Sequence, residues 1–231
     1  MENKKIAIIP ARGGSKRIPR KNIIPFQGKP MLAYAINAAI KSELFDEIIV
    51  STDDKEIAEI AEKHGAKVPF LRSAKNSNDF ATTYNVLAEV FDFYEENGVK
   101  FDTACCIYPC VPLLNSDRIK EAEKLLYAGD YDVVFPVIEY GTPIARAFKI
   151  SDNSKIEPYF KENLLERTQD VTSSYFDAGQ FYWMDVLKVR TLKKLITDNS
   201  GCIVLSELEA QDIDTLEDLV MAELKYKKLY A

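Results

Sequence analysis

Two runs constrain this chain more than any others: Ile6-Ala7-Ile8-Ile9 and Ala104-Cys105-Cys106-Ile107. Neither alternates apolar with polar residues. A strand built from either is buried on both faces, so it requires a sheet covered on both sides. Strand and helix patterns then alternate through the first 137 residues. Ile6 to Pro10 reads as a central strand, Glu47 to Ser51 as a second, Lys67 to Phe70 as a short third, Asp102 to Tyr108 as a buried fourth and Tyr131 to Val137 as a fifth. Between them, helical spacing runs over Pro30 to Leu44, from Asp53 to about His64-Gly65, over Thr82 to Asn97 and over Ser116 to Ala128. Asp53 with Glu56 three residues on resembles a capping box, and Gly65 and Gly98 supply stop signals. This rhythm predicts an α/β fold with a doubly wound, mostly parallel sheet.

The rhythm breaks from Glu139 to Tyr175, where turn residues, Pro143 and Pro158 replace it. Beyond the break, Phe176 to Trp183 reads as extended, Asp185 to Leu195 as helix, Gly201 to Leu205 as a short strand and Thr215 to Tyr230 as a closing helix. The expectation is one domain over residues 1–231. The segment 139–175 would protrude from it as an insert with too little apolar content to fold alone, and would pack on a partner subunit.

The most unusual local feature is the loop after the first strand, Pro10-Ala11-Arg12-Gly13-Gly14-Ser15-Lys16-Arg17-Ile18-Pro19-Arg20-Lys21-Asn22. It gathers five cations in a chain whose formal net charge is −6. Glycines let a backbone approach phosphate oxygens closely, and the cations neutralise them. Open α/β sheets bind ligands at the carboxyl ends of their strands, where this loop falls. A bound polyphosphate explains the cluster better than a solvated basic loop does. The spacing matches neither G-x-x-x-x-G-K-[ST] nor G-x-G-x-x-G. Pro19 and Pro25 delay the first helix, so the phosphates would be held by a long wrapped loop rather than by one helix end.

Composition excludes several classes. The acidic balance argues against a nucleic-acid partner. No apolar run reaches the ~18 residues that span a bilayer. The start, Met1-Glu2-Asn3-Lys4-Lys5, shows no secretory pattern, so no membrane association and a cytoplasmic location are expected. Cys105, Cys106, Cys110 and Cys202 lack paired spacing and read as reduced thiols. With His64 as its one histidine, the chain holds no histidine-based triad or zinc site. Asp53-Asp54 reads as capping before it reads as a metal pair, Trp183 as core or interface, and Lys225 to Lys228 as a solvated helix end. Asp212 and Asp214 lie two apart, and in an extended segment both face one side. Such a pair suits Mg²⁺, while Asp214 alone also suits an N-cap before Thr215-Leu216-Glu217-Asp218.

Several segments, taken in order, resemble the acylneuraminate cytidylyltransferases, the CMP-sialic acid synthetase family. They are Pro10 to Lys16 with Pro19 to Asn22, Val50-Ser51-Thr52-Asp53, Val68 to Arg72, Tyr108 to Leu113, and Asp212-Ile213-Asp214-Thr215. The run Tyr175 to Trp183, with Arg17, looks most like the pseudaminic acid branch. The resemblance implies a three-layer Rossmann-like nucleotide-diphospho-sugar transferase fold with a dimerisation insert. It also implies CTP and a nonulosonic acid as substrates, pyrophosphate release, Mg²⁺ as cofactor and a homodimer. It assigns roles residue by residue. Ala11, Arg12, Gly13, Gly14, Ser15, Lys16 and Asn22 would bind the nucleotide, with Arg12 and Lys16 on the β- and γ-phosphates. Lys21, with Arg12, would be catalytic, stabilising the α-phosphate. Arg72 would lie near the cytosine, and Thr82 or Thr83 near the ribose or base; the other readings are an ion pair for Arg72 and an N-cap for the threonines. Asp212 and Asp214 would hold the metal. Tyr108, Cys110, Arg167, Gln169, Asp177 and Gln180 would form the sugar subsite, with Arg167, or Arg146, facing the substrate carboxylate or an interface partner.

The family's sialic acid branch usually has Asn-Gly-Ala where this chain has Asp177-Ala178-Gly179, Gln at Tyr108 and Thr at Cys110. These departures favour another nonulosonate. Sialic acid and legionaminic acid remain the alternatives within the class, and a nucleotide-binding module without catalysis the alternative outside it.

Overall fold

The computed structural model describes residues 3–167 and 170–230. Its centre is a seven-stranded sheet. The strands are β1 (Lys5–Pro10), β2 (Glu47–Ser51), β3 (Thr103–Ile107), β4 (Val133–Glu139), β5 (Tyr175–Asp177), β6 (Phe181–Asp185) and β7 (Ser200–Leu205). The order across the sheet is β7-β4-β6-β3-β1-β2, with β5 beside the far end of β4. β1 pairs in parallel with β2 and β3, and β7 with β4. β6 runs antiparallel between β3 and β4.

Helices cover both faces: α1 (Met31–Ser42), α2 (Lys55–Lys63), α3 (Thr83–Glu96), α4 (Ser116–Ala128), α5 (Val186–Leu192) and α6 (Leu216–Tyr230). Alternation along each strand sorts the core. Ala7, Ile9, Val50, Cys105, Ile107, Val134 and Trp183 face α1, α2 and α4, while Ile6, Ile8, Ile49, Ala104, Cys106 and Met184 face α3 and α5. Burial pushes the Cys106 thiol up to about 12, and Cys105 in the same direction, so both are inert core groups. Trp183 is fully buried, stacks on Phe45 with centroids 5.0 Å apart and donates to the Ile119 carbonyl.

Four expectations need correction. Lys67 to Phe70 is no strand: only the isolated bridges Ile49–Lys67 and Thr52–Leu71 form there, because Pro69 brings no N–H to a ladder. The N-cap of α2 is Asp54, whose carboxylate accepts from Ile57 N, rather than Asp53. The run Phe176 to Trp183 is two strands rather than one; it breaks at Ala178–Gln180, where Gly179 takes φ 63°, and pairing passes from β4 toward β3. Lys225 is half-buried rather than solvated: its Nζ donates to the Ala210 carbonyl at 2.9 Å, and burial lowers its pKa.

Residues 140–167 and 170–174 lie outside the main sheet and carry a hairpin of Phe148–Ile150 with Ile156–Pro158. Ile150, Ile156 and Leu165 are 75%, 63% and 98% exposed there. No helix among the described residues is long and apolar enough to cross a membrane.

Candidate functional site

The carboxyl ends of β1, β2 and β3 converge on one edge of the sheet. The loop after β1 rests on a small apolar cluster of Ile18, Phe26, Met31, Ile213 and Ala222, which joins it to α1 and α6. Phe26, Tyr34 and Tyr226 pack edge to face at 5.4–5.7 Å and fasten α6 to the same unit. The basic loop therefore stands on a packed floor.

A cavity of about 360 Å³ lies above that floor, lined by Pro10, Arg12, Ser15, Lys16, Arg17, Ile18, Lys21, Asn22 and Pro109. Arg12 and Lys16 converge on the single carboxylate of Asp79, and together they hold it below its ordinary range. Arg17 and Lys21 converge on Asp214, at 2.8 and 3.2 Å. Lys21 Nζ also donates to the Ile213 carbonyl at 2.6 Å, tying the loop to the segment before α6. Arg20 turns the other way, to Asp54 and Glu56, and takes no part in the cavity. A larger cleft beside α3 is lined by Glu89, Asp92 and Glu96. Its acidic lining would repel a polyphosphate, whereas Arg12, Lys16, Arg17 and Lys21 line the smaller cavity.

The loop's shape is fixed by its own hydrogen bonds. Ala11 N donates to Ser51 O at 2.9 Å and Ser15 N to Gly13 O at 3.1 Å. Gly13 N donates to Asp53 Oδ1 at 3.0 Å. A Cβ on Gly13 would meet Asp54 Oδ2 at 2.6 Å, so glycine is required by close approach. At Gly14 a Cβ would meet nothing within 4 Å, which leaves that position open to the solvent side. Asn22 is buried; it donates to Arg12 O at 2.8 Å and accepts from Cys110 Sγ at 3.2 Å. Asn22 and Cys110 thus brace the loop from beneath.

Arg72 is 7% exposed and forms no ion pair among the described residues. It donates to the Ser51 hydroxyl at 3.0 Å and to the Ser51 carbonyl, and burial lowers its pKa. Thr82 is the N-cap of α3, accepting from Asn85 N at 3.2 Å. Thr83 Oγ1 lies 3.4 Å from the Tyr108 hydroxyl. Tyr108 packs on Tyr182 with centroids 5.6 Å apart, and the Tyr182 hydroxyl donates to Asp177. Gln180 is buried with its amide on Glu209 O at 2.7 Å, so it fixes the chain there rather than opening outward.

Asp212 and Asp214 share one edge with Lys21. Burial, and next the charge of Asp214, raise the Asp212 pKa. Among the described residues no side chain or backbone N–H donates to the Asp212 carboxylate. Asp214 does not cap α6, contrary to the capping alternative: Thr215 does, through reciprocal bonds with Asp218 at 2.8 and 3.2 Å. Both carboxylates are hard oxygen donors beside a basic cavity, which fits a divalent cation that takes its other ligands from phosphate and water. No group of three or more ligating side chains is present among the described residues.

In the remaining positions the structure disperses the expectations. Arg146 is spent on the carbonyls of Leu164 and Glu166 within the 140–174 segment. Arg167 is exposed on that segment, and Gln169 lies outside the described residues. Beyond the residues to which the sequence points, the structure adds Asp53, Asp79 and Tyr182. The tripeptide Thr52-Asp53-Asp54 at a strand end carries the signal for Asp53, and Tyr182 lies in the Tyr175 to Trp183 run of the resemblance; nothing in the sequence marks Asp79.

A family model described as cytidylyltransferase matches residues 6–226. A pseudaminic acid cytidylyltransferase of Campylobacter jejuni is 39% identical over 97% of this chain and 97% of its own length. A CMP-N,N'-diacetyllegionaminic acid synthase of Legionella pneumophila is 38% identical over 94% of each. Among solved structures, a CMP:2-keto-3-deoxy-manno-octonic acid synthetase complexed with CTP superposes with a TM-score of 0.72, covering 98% of this chain and 100% of that one, at 15% identity. At that identity the likeness is one of fold.

Proposed function

Because the chain belongs to the cytidylyltransferase family, we propose that it transfers CMP from CTP to the anomeric hydroxyl of a nonulosonic acid, with release of pyrophosphate. Pseudaminic acid is the favoured substrate. The observation that carries this reading is the cavity lined by Arg12, Lys16, Arg17 and Lys21 at the carboxyl end of β1. The 39% identity with a pseudaminic acid enzyme supports the choice of sugar.

Attack of the sugar oxygen on the α-phosphorus forms one P–O bond and breaks the bridge to the β-phosphate. Charge builds on the α-phosphate oxygens and on the departing pyrophosphate, so positioning and neutralisation supply most of the catalysis. The convergence of Arg12 and Lys16 on Asp79 suits them to a single anionic group, and we assign them the β- and γ-phosphates. Lys21, held by Ile213 O and Asp214, is assigned the α-phosphate. Gly13 and Gly14 let the backbone lie against the nucleotide, with Ala11, Ser15 and Asn22 fixing its path. Arg72 is assigned to the base end, with Thr82 and Thr83 beside it. Asp212 and Asp214 would hold the divalent cation, Mg²⁺ by preference, which when bound neutralises part of the triphosphate charge. Tyr108, Asp177 and Arg167 are assigned to the sugar acid. We further assign the exposed side chains of Ile150, Ile156 and Leu165 to a homodimer interface within a one-domain chain.

Product identification tests the reading. Purified protein with CTP, Mg²⁺ and separately pseudaminic, N,N'-diacetyllegionaminic and N-acetylneuraminic acids should yield a CMP-sugar, fastest with pseudaminic acid. CMP-sugar formation led by either of the other two would reassign the substrate, and none from any would remove the activity.

A further inference from the structure

Asp177 ends β5, and its carboxylate is exposed on the side of the sheet edge where Tyr108 lies. Both of its oxygens are engaged. Oδ1 accepts from Gly179 N at 2.8 Å and Oδ2 from the Tyr182 hydroxyl. A carboxylate oxygen accepts more than one hydrogen bond, so each keeps capacity for an incoming donor. Tyr182 itself is 4% exposed, on β6. Its ring is wedged between Tyr108 and Phe135, with centroids 5.6 and 5.5 Å away. It cannot reach a ligand, and its hydroxyl donates to the Asp177 carboxylate. The Tyr108 hydroxyl in turn meets Thr83 Oγ1 at 3.4 Å, at the first turn of α3. A buried phenol therefore fixes an exposed carboxylate across the break between β5 and β6.

We propose that Tyr182 is a positioning residue for the sugar-acid subsite: its buried hydroxyl fixes the Asp177 carboxylate so that it accepts from a hydroxyl or acylamino N–H of the sugar and discriminates among nonulosonic acids. This rests on the assignment of Asp177 to the sugar acid made above. Burial raises the Tyr182 pKa, so the phenol stays a donor across the working range. Without it, Asp177 gains rotamer freedom and must be ordered by the ligand itself, which weakens binding of the sugar and not of CTP.

Steady-state kinetics on the full chain test this with pseudaminic acid and CTP. Tyr182→Phe keeps the ring, and its melting temperature reports whether the core survives. The expected result is a rise of about tenfold in KM for pseudaminic acid, the scale of one hydrogen bond to a charged group. KM for CTP should stay within about twofold, and the preference for pseudaminic over N,N'-diacetyllegionaminic acid should narrow. Asp177→Asn should raise the same KM, and adding Tyr182→Phe to it should cost little more, because the two act as one unit. Equal rises in both KM values, or full additivity of the two substitutions, would make Tyr182 a packing residue only and overturn the proposal. So would an unchanged sugar KM in Asp177→Asn, even if Tyr182→Phe failed to fold. A wild-type protein that turns over no nonulosonic acid would instead overturn the underlying function.

Discussion

Lys21 shows how one side chain ties sequence to chemistry. It sits in a short 3-10 turn, is held by Ile213 O and Asp214, and lines the cavity. If its contact with the α-phosphate strengthens as charge develops, Lys21→Ala should lower kcat by about 100-fold or more while KM for CTP changes by less than about tenfold. A loss confined to KM would return Lys21 to simple binding. Asp54 offers a stability test at the same scale. Arg20, first of all, holds its carboxyl below the usual 3.8. A lowered folded-state pKa stabilises the chain above that value, and the gain is lost as pH falls through the folded pKa. Asparagine is an equally good N-cap, so Asp54→Asn isolates the charge. It should cost about 1 kcal/mol near neutrality, kept small by the exposure of Arg20; in denaturant melts the difference should begin to shrink only as pH falls below 3.8 and vanish below the lowered folded-state pKa. A constant difference at all pH values would assign the effect to packing.

At the scale of elements, the strands were legible wherever burial on both faces left a continuous apolar run, as in Glu47 to Ser51, which the structure reproduces residue for residue. Helix α4 was equally plain, over Ser116 to Ala128. What escaped the sequence was decided by distant neighbours. The choice between Asp53 and Asp54 as cap depends on Gly13 N, 40 positions away, which takes the Asp53 carboxylate. The break inside Phe176 to Trp183 depends on which strand each half can pair with. The basic loop was legible as an anion site because its cations are contiguous. Asp79 was not, because it reaches Arg12 and Lys16 from the segment before α3. That carboxylate competes with any phosphate for the same two cations. Asp79→Asn should therefore lower KM for CTP by about threefold at low salt, and less as salt screens the contact. A raised KM would mean that Asp79 helps to build the phosphate site.

For the whole molecule, the segment outside the main sheet leaves Ile150, Ile156 and Leu165 exposed. Clustered exposure of large apolar side chains marks an interaction surface. If two copies meet there, sedimentation should show a dimer for the wild type and a monomer for Leu165→Glu at micromolar concentration. A monomeric wild type would remove the interface. All of this is subordinate to one claim, that the loop's cations hold the triphosphate of CTP for attack by a sugar acid. The most direct measurement is continuous pyrophosphate release with CTP, Mg²⁺ and pseudaminic acid, each omitted in turn. The account predicts release only when all three are present, with one CMP-sugar formed per pyrophosphate. Release that continues without the sugar acid, or CTP binding with no release for any nonulosonic acid, would contradict it.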